Sequence, residues 1–189
     1  ETYKTCPLKY KFSEIDKIRT PKSKEAVFGT LLHSALRFMF SRDPLYPTLD
    51  EVVNAYLSGW AEFSRKTSWN DEREEKMFRE HGVTILKKFY AANQPWNFNV
   101  MELESRFALP IRDPDTGETH ELVGIMDRID KPDEGAYEII DYKTGKRLPS
   151  QEKVDRNLQL SIYHAGLLER WPHIREKSIK LSLHFLKHN

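Results

Sequence analysis

Asp127 and the run Asp141-Tyr142-Lys143 bring two carboxylates and an amine toward one point, the side-chain set that metal-dependent phosphodiester hydrolysis uses. The run Tyr137-Glu138-Ile139-Ile140-Asp141-Tyr142-Lys143, rich in aromatic and β-branched residues before a Thr144-Gly145 break, reads as a strand. Side chains alternate along a strand, so Asp141 and Lys143 point the same way, roughly 7 Å apart along the backbone. A second strand pattern spans Leu122 to Asp130, where Val123, Ile125, Asp127 and Ile129 share a face that is expected to be apolar core. Lys131-Pro132-Asp133-Glu134-Gly135-Ala136 between the two runs suits a hairpin, which would make them antiparallel neighbours and let Asp127 meet Asp141.

A carboxylate on an apolar strand face is costly unless a cation or hydrogen bonds compensate it. Oxygen ligands favour Mg²⁺ or Mn²⁺ over zinc, and such an ion holds a phosphate and acidifies its bound water. Lys143, a poor ligand for such an ion, would position that water or offset charge building on the phosphate. Spacing alone leaves a second reading open, a surface salt-bridge cluster at a hairpin end.

Two flanking helical patterns add candidates. Phe28, Leu31, Leu32, Ala35, Leu36 and Met39 follow helical spacing, with His33 four residues after Gly29 and therefore on the same face. A glycine lets a neighbouring backbone approach closely, so His33 would look past it toward the carboxylates. Downstream, Gln159 and Tyr163 are again four apart on a helix and can face one site.

Taken together, Phe28-Gly29-x-x-x-His33, Gly124-Ile125-Met126-Asp127-Arg128-Ile129-Asp130, Ile139-Ile140-Asp141-Tyr142-Lys143-Thr144-Gly145-Lys146 and Gln159-x-x-x-Tyr163, in this order, resemble the RecB-type branch of the PD-(D/E)xK nuclease superfamily. The opening Tyr3-Lys4-Thr5-Cys6-Pro7-Leu8-Lys9-Tyr10 is similar to the start of that domain, so the resemblance spans nearly the whole chain. It implies that His33, Asp127 and Asp141 bind the divalent metal, with the backbone carbonyl of Tyr142 as a further ligand. It assigns Lys143 to assisting the attacking water, and Gln159 and Tyr163 to the border of the site against DNA or the lysine. Glu104 fits the position of an additional glutamate on the preceding strand better than Glu102 does; an exposed strand glutamate is the alternative.

The resemblance breaks at one point. AddB-type nucleases and CRISPR-associated exonucleases hold a [4Fe–4S] cluster on cysteine thiolates near both ends of the domain, whereas this chain has only Cys6. The chain alone cannot build such a cluster. Either it is a cluster-free member in which Cys6 packs as a small apolar residue, or it is a domain excised from a longer protein ahead of the other cysteines. A start without Met and a stop just after an apolar strand favour an excised domain.

Of 189 residues, 39% are hydrophobic and 12% aromatic, enough to bury the core of a single domain spanning 1–189. Net charge is +1, so no global basic field advertises nucleic acid, although a nuclease needs basic residues only along its groove. Lys9, Lys11, Lys17, Arg19, Lys22 and Lys24, then Lys143, Lys146 and Arg147, are local candidates, each cluster also readable as solvated surface. No apolar run reaches spanning length, which predicts no membrane segment, and a single cysteine agrees with a reducing compartment, read as cytoplasmic.

Helices are expected over 26–40, Leu49 to Lys66, Asp71 to Ala92 and 155–170. Strands are expected over Val100 to Pro110, Glu121 to Asp130, Tyr137 to Lys143 and Ser178 to Phe185. This α-β-β-β-α-β order predicts an α/β (α+β) fold with a mixed central sheet flanked by helices, the restriction-endonuclease-like core of the family, with residues 42–96 as a helical insertion. The insertion would wall the substrate groove or only cover the sheet. Trp60, Trp69 and Trp96 are assigned to packing.

The function expected is a Mg²⁺- or Mn²⁺-dependent deoxyribonuclease, exonuclease-like, acting on DNA that is single-stranded or has an end, in recombination, repair or defence. The alternative is a catalytically silent DNA-binding scaffold subunit of a nuclease-helicase complex; hydrolysis of RNA or a nucleotide is a more remote third. A helicase or nuclease partner chain is expected from the resemblance, because no G-x-x-x-x-G-K-[ST] phosphate loop occurs here. Direct ligation would place His33, Asp127 and Asp141 within about 5 Å of a common point.

Overall fold

The computed structural model describes residues 2–18, 23–65 and 67–188, so Arg19, Lys22 and Lys66 lie outside the described residues. Short helices α1 (Thr2–Thr5) and α2 (Pro7–Tyr10) lead into a π-helical turn, Lys11–Ile15. The long helices begin where the sequence supplies a capping side chain. Ser23 accepts from Ala26 N at the start of α3 (Lys24–Phe40), Thr48 and Glu51 form a capping box on α4 (Leu49–Ser64), and Asp71 caps α5 (Glu72–Ala92). The helix expected over 155–170 divides into α6 (Gln151–Asp155) and α7 (Leu158–Arg170), because Asn157 caps α7 by accepting from Leu160 N.

Four strands form one sheet in the order β1 (Val100–Arg112), β2 (Thr119–Asp133), β3 (Ala136–Lys143) and β4 (Ser178–Phe185). β1, β2 and β3 are antiparallel neighbours, and β3 pairs parallel with β4 across the α7 connection. The sheet is mixed and the α-β-β-β-α-β order is present as expected. β1 and β2 run past the predicted ends, since their ladder continues to Arg112↔Thr119 at the Asp113–Glu118 turn.

A core lies on each face. On one, α3, α4 and α5 pack over Ile140 and Tyr142 of β3, with Phe89 of α5 meeting the rings of Tyr142 and His184. On the other, α7 covers Phe107, Met126, Ile129 and Ile139. The helices of 42–96 therefore build core on α3, and α5 reaches the sheet. Trp60 and Trp69 pack there as expected, but Trp96 is exposed, touching Tyr90 by its edge. Cys6 is exposed as well, so it does not pack as a small apolar residue.

The phase expected for β2 fails. Val123 and Ile125 are exposed, and Ile129 is buried with Met126 under α7. Val123, Ile125 and Asp127 keep one face, the one away from α7, where the first two stay exposed; Ile129 leaves that face through a slip in the pleat. Asp127 and Arg128 both face α3, the first touching His33 and the second lying over Phe40. Across the ladder, where Leu103 pairs with Arg128 and Ser105 with Met126, Glu104 takes a left-handed φ of 47°. Such a φ is uncommon for a non-glycine residue, and it stands opposite the Asp127–Arg128 step where the facing of β2 changes, the register being the same on either side.

Gly166 lets α7 close onto β1. A Cβ there would stand 2.3 Å from a Phe107 ring carbon. Gly166→Ala is expected to destabilise the fold by about 1–3 kcal/mol in chemical denaturation, the overpacking cost exceeding the gain in helix propensity. Phe107→Leu in the same chain should relieve part of it; a Gly166→Ala protein as stable as the parent refutes the contact.

Candidate active site

The ladder between β2 and β3 runs through Arg128↔Ile140 and stops, and Asp127 and Asp141 stand at the next position. There the strands part. Asp127 Oδ2 accepts the Tyr142 N–H at 2.8 Å, so a side chain takes the amide that a facing strand would otherwise bond. Asp127 Oδ1 lies 3.2 Å from Nδ1 of His33. His33 comes to this point because α3 runs close to the β3 exit: a Cβ on Gly29 would be 3.3 Å from Thr144 Oγ1, and Gly29 is one turn before His33.

Burial by itself disfavours the His33 cation, but the hydrogen bond to Asp127, the charges of Asp127 and Asp141 and a backbone bond to Tyr142 outweigh it and raise the pKa. A backbone group that favours a cation is a carbonyl, so the Tyr142 C=O also faces this point. The Tyr142 ring meets His33 edge-on, 6.0 Å between centroids.

Asp141 faces the opposite helix. Its side chain is 4% exposed, and Oδ1 accepts from Gln159 Nε2 at 3.0 Å and from the Tyr163 hydroxyl at 3.4 Å. Gln159 Nε2 also donates to Tyr163 at 2.8 Å, while Gln159 Oε1 accepts from Lys143 Nζ at 2.8 Å. Lys143 Nζ lies 2.6 Å from Asp141 Oδ2, the alternation expected from the strand. Oδ2 is buried and, apart from that ionic neighbour, has no hydrogen-bond donor. Burial, with the Asp127 charge adding to it, raises the Asp141 pKa above the ordinary aspartate value although Lys143 and His33 oppose the shift. Tyr163 is pushed up to about 12, first by burial and then by Asp141.

Glu104 stands at the rim. It lines a shallow cleft of about 260 Å³ with Gly29, Thr30, His33 and Ser34, and its carboxylate accepts from Arg37 Nη1 at 2.8 Å. Glu102 faces α7, where it binds Arg170. The structure thus gathers His33, Asp127, Asp141, the Tyr142 backbone, Lys143, Gln159 and Tyr163, and places Glu104 beside them in its own ion pair.

The set departs from expectation in one respect. Among the described residues no three His, Cys, Asp or Glu side chains stand close enough together to hold a metal ion as they are. The strands' faces explain it: Asp127 is drawn to His33 on the α3 side, and Asp141 to Lys143 and Gln159 on the α7 side. The donors nevertheless suit a hard divalent cation in kind, being two carboxylates, a carbonyl and an imidazole. Asp141 Oδ2, buried and met by the Lys143 ammonium at 2.6 Å, is an oxygen whose burial calls for a cation.

Sequence reading missed Arg128. Its guanidinium is 2% exposed, lies 3.8 Å from the Phe40 centroid and 4.4 Å from that of Phe98, and bonds both oxygens of Asp130. It also donates to the Tyr142 hydroxyl at 3.1 Å, bracing the ring that backs His33. The signal was opposite charges two apart on a strand, which share a face.

A family model for the PD-(D/E)XK nuclease superfamily matches residues 1–188. The chain belongs to the PD-(D/E)XK nuclease superfamily. Membership gives this chain its class: a hydrolase of nucleic acid, with DNA the substrate the family implies, in a superfamily that uses divalent metal ions, typically Mg²⁺. Among curated proteins, none matches the chain. No helix of the described residues is long and apolar enough to cross a membrane.

Proposed function

We propose that this PD-(D/E)XK domain is a RecB-type, exonuclease-like deoxyribonuclease working with Mg²⁺ or Mn²⁺ on DNA that is single-stranded or has an end. In this reading, residues 1–189 are one nuclease domain carrying 42–96 as a helical insertion, and it serves recombination, repair or defence beside a helicase or nuclease partner chain. The observation that carries it is the fork between β2 and β3, where Asp127 accepts from the Tyr142 amide and meets His33 of α3, while Asp141 meets Lys143 beside Gln159 of α7.

His33, Asp127, Asp141 and the Tyr142 carbonyl would hold the ion, which supplies Lewis-acid polarisation of the phosphate and a more acidic water when bound. Closing that set requires His33 and Asp141 to turn from their present partners. Gln159 fixes the Lys143 ammonium, leaving it 32% exposed at the mouth of the fork. There Lys143 Nζ offsets charge on the phosphate oxygens and orients the attacking water. Tyr163, kept protonated at neutral pH, holds Gln159 in place and bounds the site. Glu104 with Arg37 shapes the rim.

The test is digestion of end-labelled single- and double-stranded DNA with Mg²⁺, Mn²⁺ or chelator. Release of short products from an end with either metal, and none with chelator, is expected. A purified protein that binds DNA and cuts neither form overturns the catalytic reading in favour of a silent scaffold. Metal should also stabilise the fold: at a hundred times its Kd, Mg²⁺ or Mn²⁺ is expected to add about 2.7 kcal/mol. Differential scanning calorimetry of the parent and of Asp141→Asn checks this, and an equal metal-induced rise in Tm for both would remove Asp141 from the ligand set.

A further inference from the structure

Beside the fork, α5 and the 3-10 turn Leu186–His188 bring His81 and Lys187 onto the Phe28 ring, and the charges of Lys88 on α5 and Lys146 on the loop leaving β3 reach His81. His81 of α5 stacks on the Phe28 ring, centroids 5.8 Å and planes 5° apart. Lys187 Nζ covers the same ring at 5.4 Å from its centroid. His188 Nε2 meets the Lys146 carbonyl oxygen at 2.7 Å, tying the loop to the 3-10 turn.

The charges act on one another. Burial first, then the Lys187, Lys146 and Lys88 charges, holds His81 below its ordinary pKa. Burial and Lys146 lower Lys187, with Glu25 opposing. Among the described residues, no ion pair engages His81, Lys88, Lys146 or Lys187, while Lys24, Lys76, Lys131, Lys143 and Lys180 each have an acidic partner. With 30 basic and 29 acidic residues in the chain, such an unpaired concentration is a matter of placement and not of composition. Like charges that outnumber their acidic neighbour Glu25 favour an anion between them.

The position says which anion. Phe28 adjoins Gly29, one turn or about 6 Å of helix before His33, and Lys146 follows Lys143 on the loop that packs against Gly29. A nucleic-acid strand engaged at the fork carries a phosphate on either side of the one being cut. We infer that Lys146, Lys187 and Lys88, with His81, form a seat for the backbone phosphate neighbouring the scissile one. The inference rests on the nuclease reading of the fork. It gives the helical segment a share in holding substrate through α5, and it makes a strand gripped at successive phosphates a better substrate than a single nucleotide.

Binding of a labelled single-stranded oligonucleotide, followed by fluorescence anisotropy in chelator across a salt series, reads the seat without catalysis. For Lys146→Gln/Lys187→Gln, the slope of log K against log salt is expected to fall by about 0.7, one phosphate contact on a single strand. In digestion with metal, the loss for this variant should fall on KM more than on kcat. Lys76→Gln, on α5 but paired with Glu80, is the control and should keep the parent slope. An unchanged slope in the double variant, an equal fall in the control, or a loss confined to kcat overturns the seat. A parent protein that shows the slope but cuts nothing overturns the nuclease reading and leaves the seat standing.

Discussion

Lys143→Ala is expected to lower DNA hydrolysis by roughly 10²–10³-fold, the scale seen when one preorganised donor is removed from a charge-stabilising site. Gln159 Oε1 holds Lys143 Nζ at 2.8 Å, a bond that does not depend on Asp141, so the ammonium stays positioned when Asp141 turns toward the ion. Its role in that reading is toward the phosphate and water and not toward the metal. The variant should therefore keep the metal-induced rise in Tm that Asp141→Asn loses. Lys143→Arg is expected to recover little, because a planar guanidinium cannot take the place of a compact ammonium between Gln159 and Asp141. Initial rates at saturating DNA decide the matter, and a Lys143→Ala protein that cuts at the parent rate removes the lysine from the mechanism.

The largest expected loss of stability is at Arg128. Truncation to Met leaves Asp130, itself 4% exposed, as an uncompensated buried carboxylate and removes the cation from between Phe40 and Phe98. Breaking a buried pair from one side costs about 3–5 kcal/mol, far above the usual surface substitution. Removing both charges, as Arg128→Met/Asp130→Leu, should recover most of it, since the pair's own desolvation is then gone as well. Equilibrium denaturation of the two variants measures this. A single variant that loses under about 1 kcal/mol would show that the ion pair is solvated in solution.

Much of the candidate site was legible because strand alternation and helix periodicity are short-range rules. Asp141 with Lys143 on one strand face, and Gln159 with Tyr163 one helical turn apart, needed no tertiary information, and Gly29 announced a close approach that Thr144 supplies. The β2 phase was not legible. Val123 and Ile125 keep the face that alternation assigns them but stay exposed there, and Ile129 changes face at the step opposite the left-handed Glu104, which nothing in the β2 residues themselves records. Trp96 was misread because a large aromatic suggests burial, while the end of α5 and the Pro95–Asn97 turn leave it at the surface. Arg128 escaped because a buried guanidinium requires an acid, two aromatic faces and a hydroxyl from four separate segments.

The parting of β2 and β3 gives the molecule a resident reporter. The Tyr142 amide belongs to no cross-strand pair with β2, yet its proton points straight at Asp127 Oδ2. Its nuclear magnetic resonance therefore tracks the carboxylate one bond away: ion binding that draws Asp127 off the amide shifts that signal and speeds its exchange with deuterium. Amides deep in the β3–β4 ladder, such as Ile139, stay still. One backbone proton thus separates an occupied fork from an empty one without any DNA being cut.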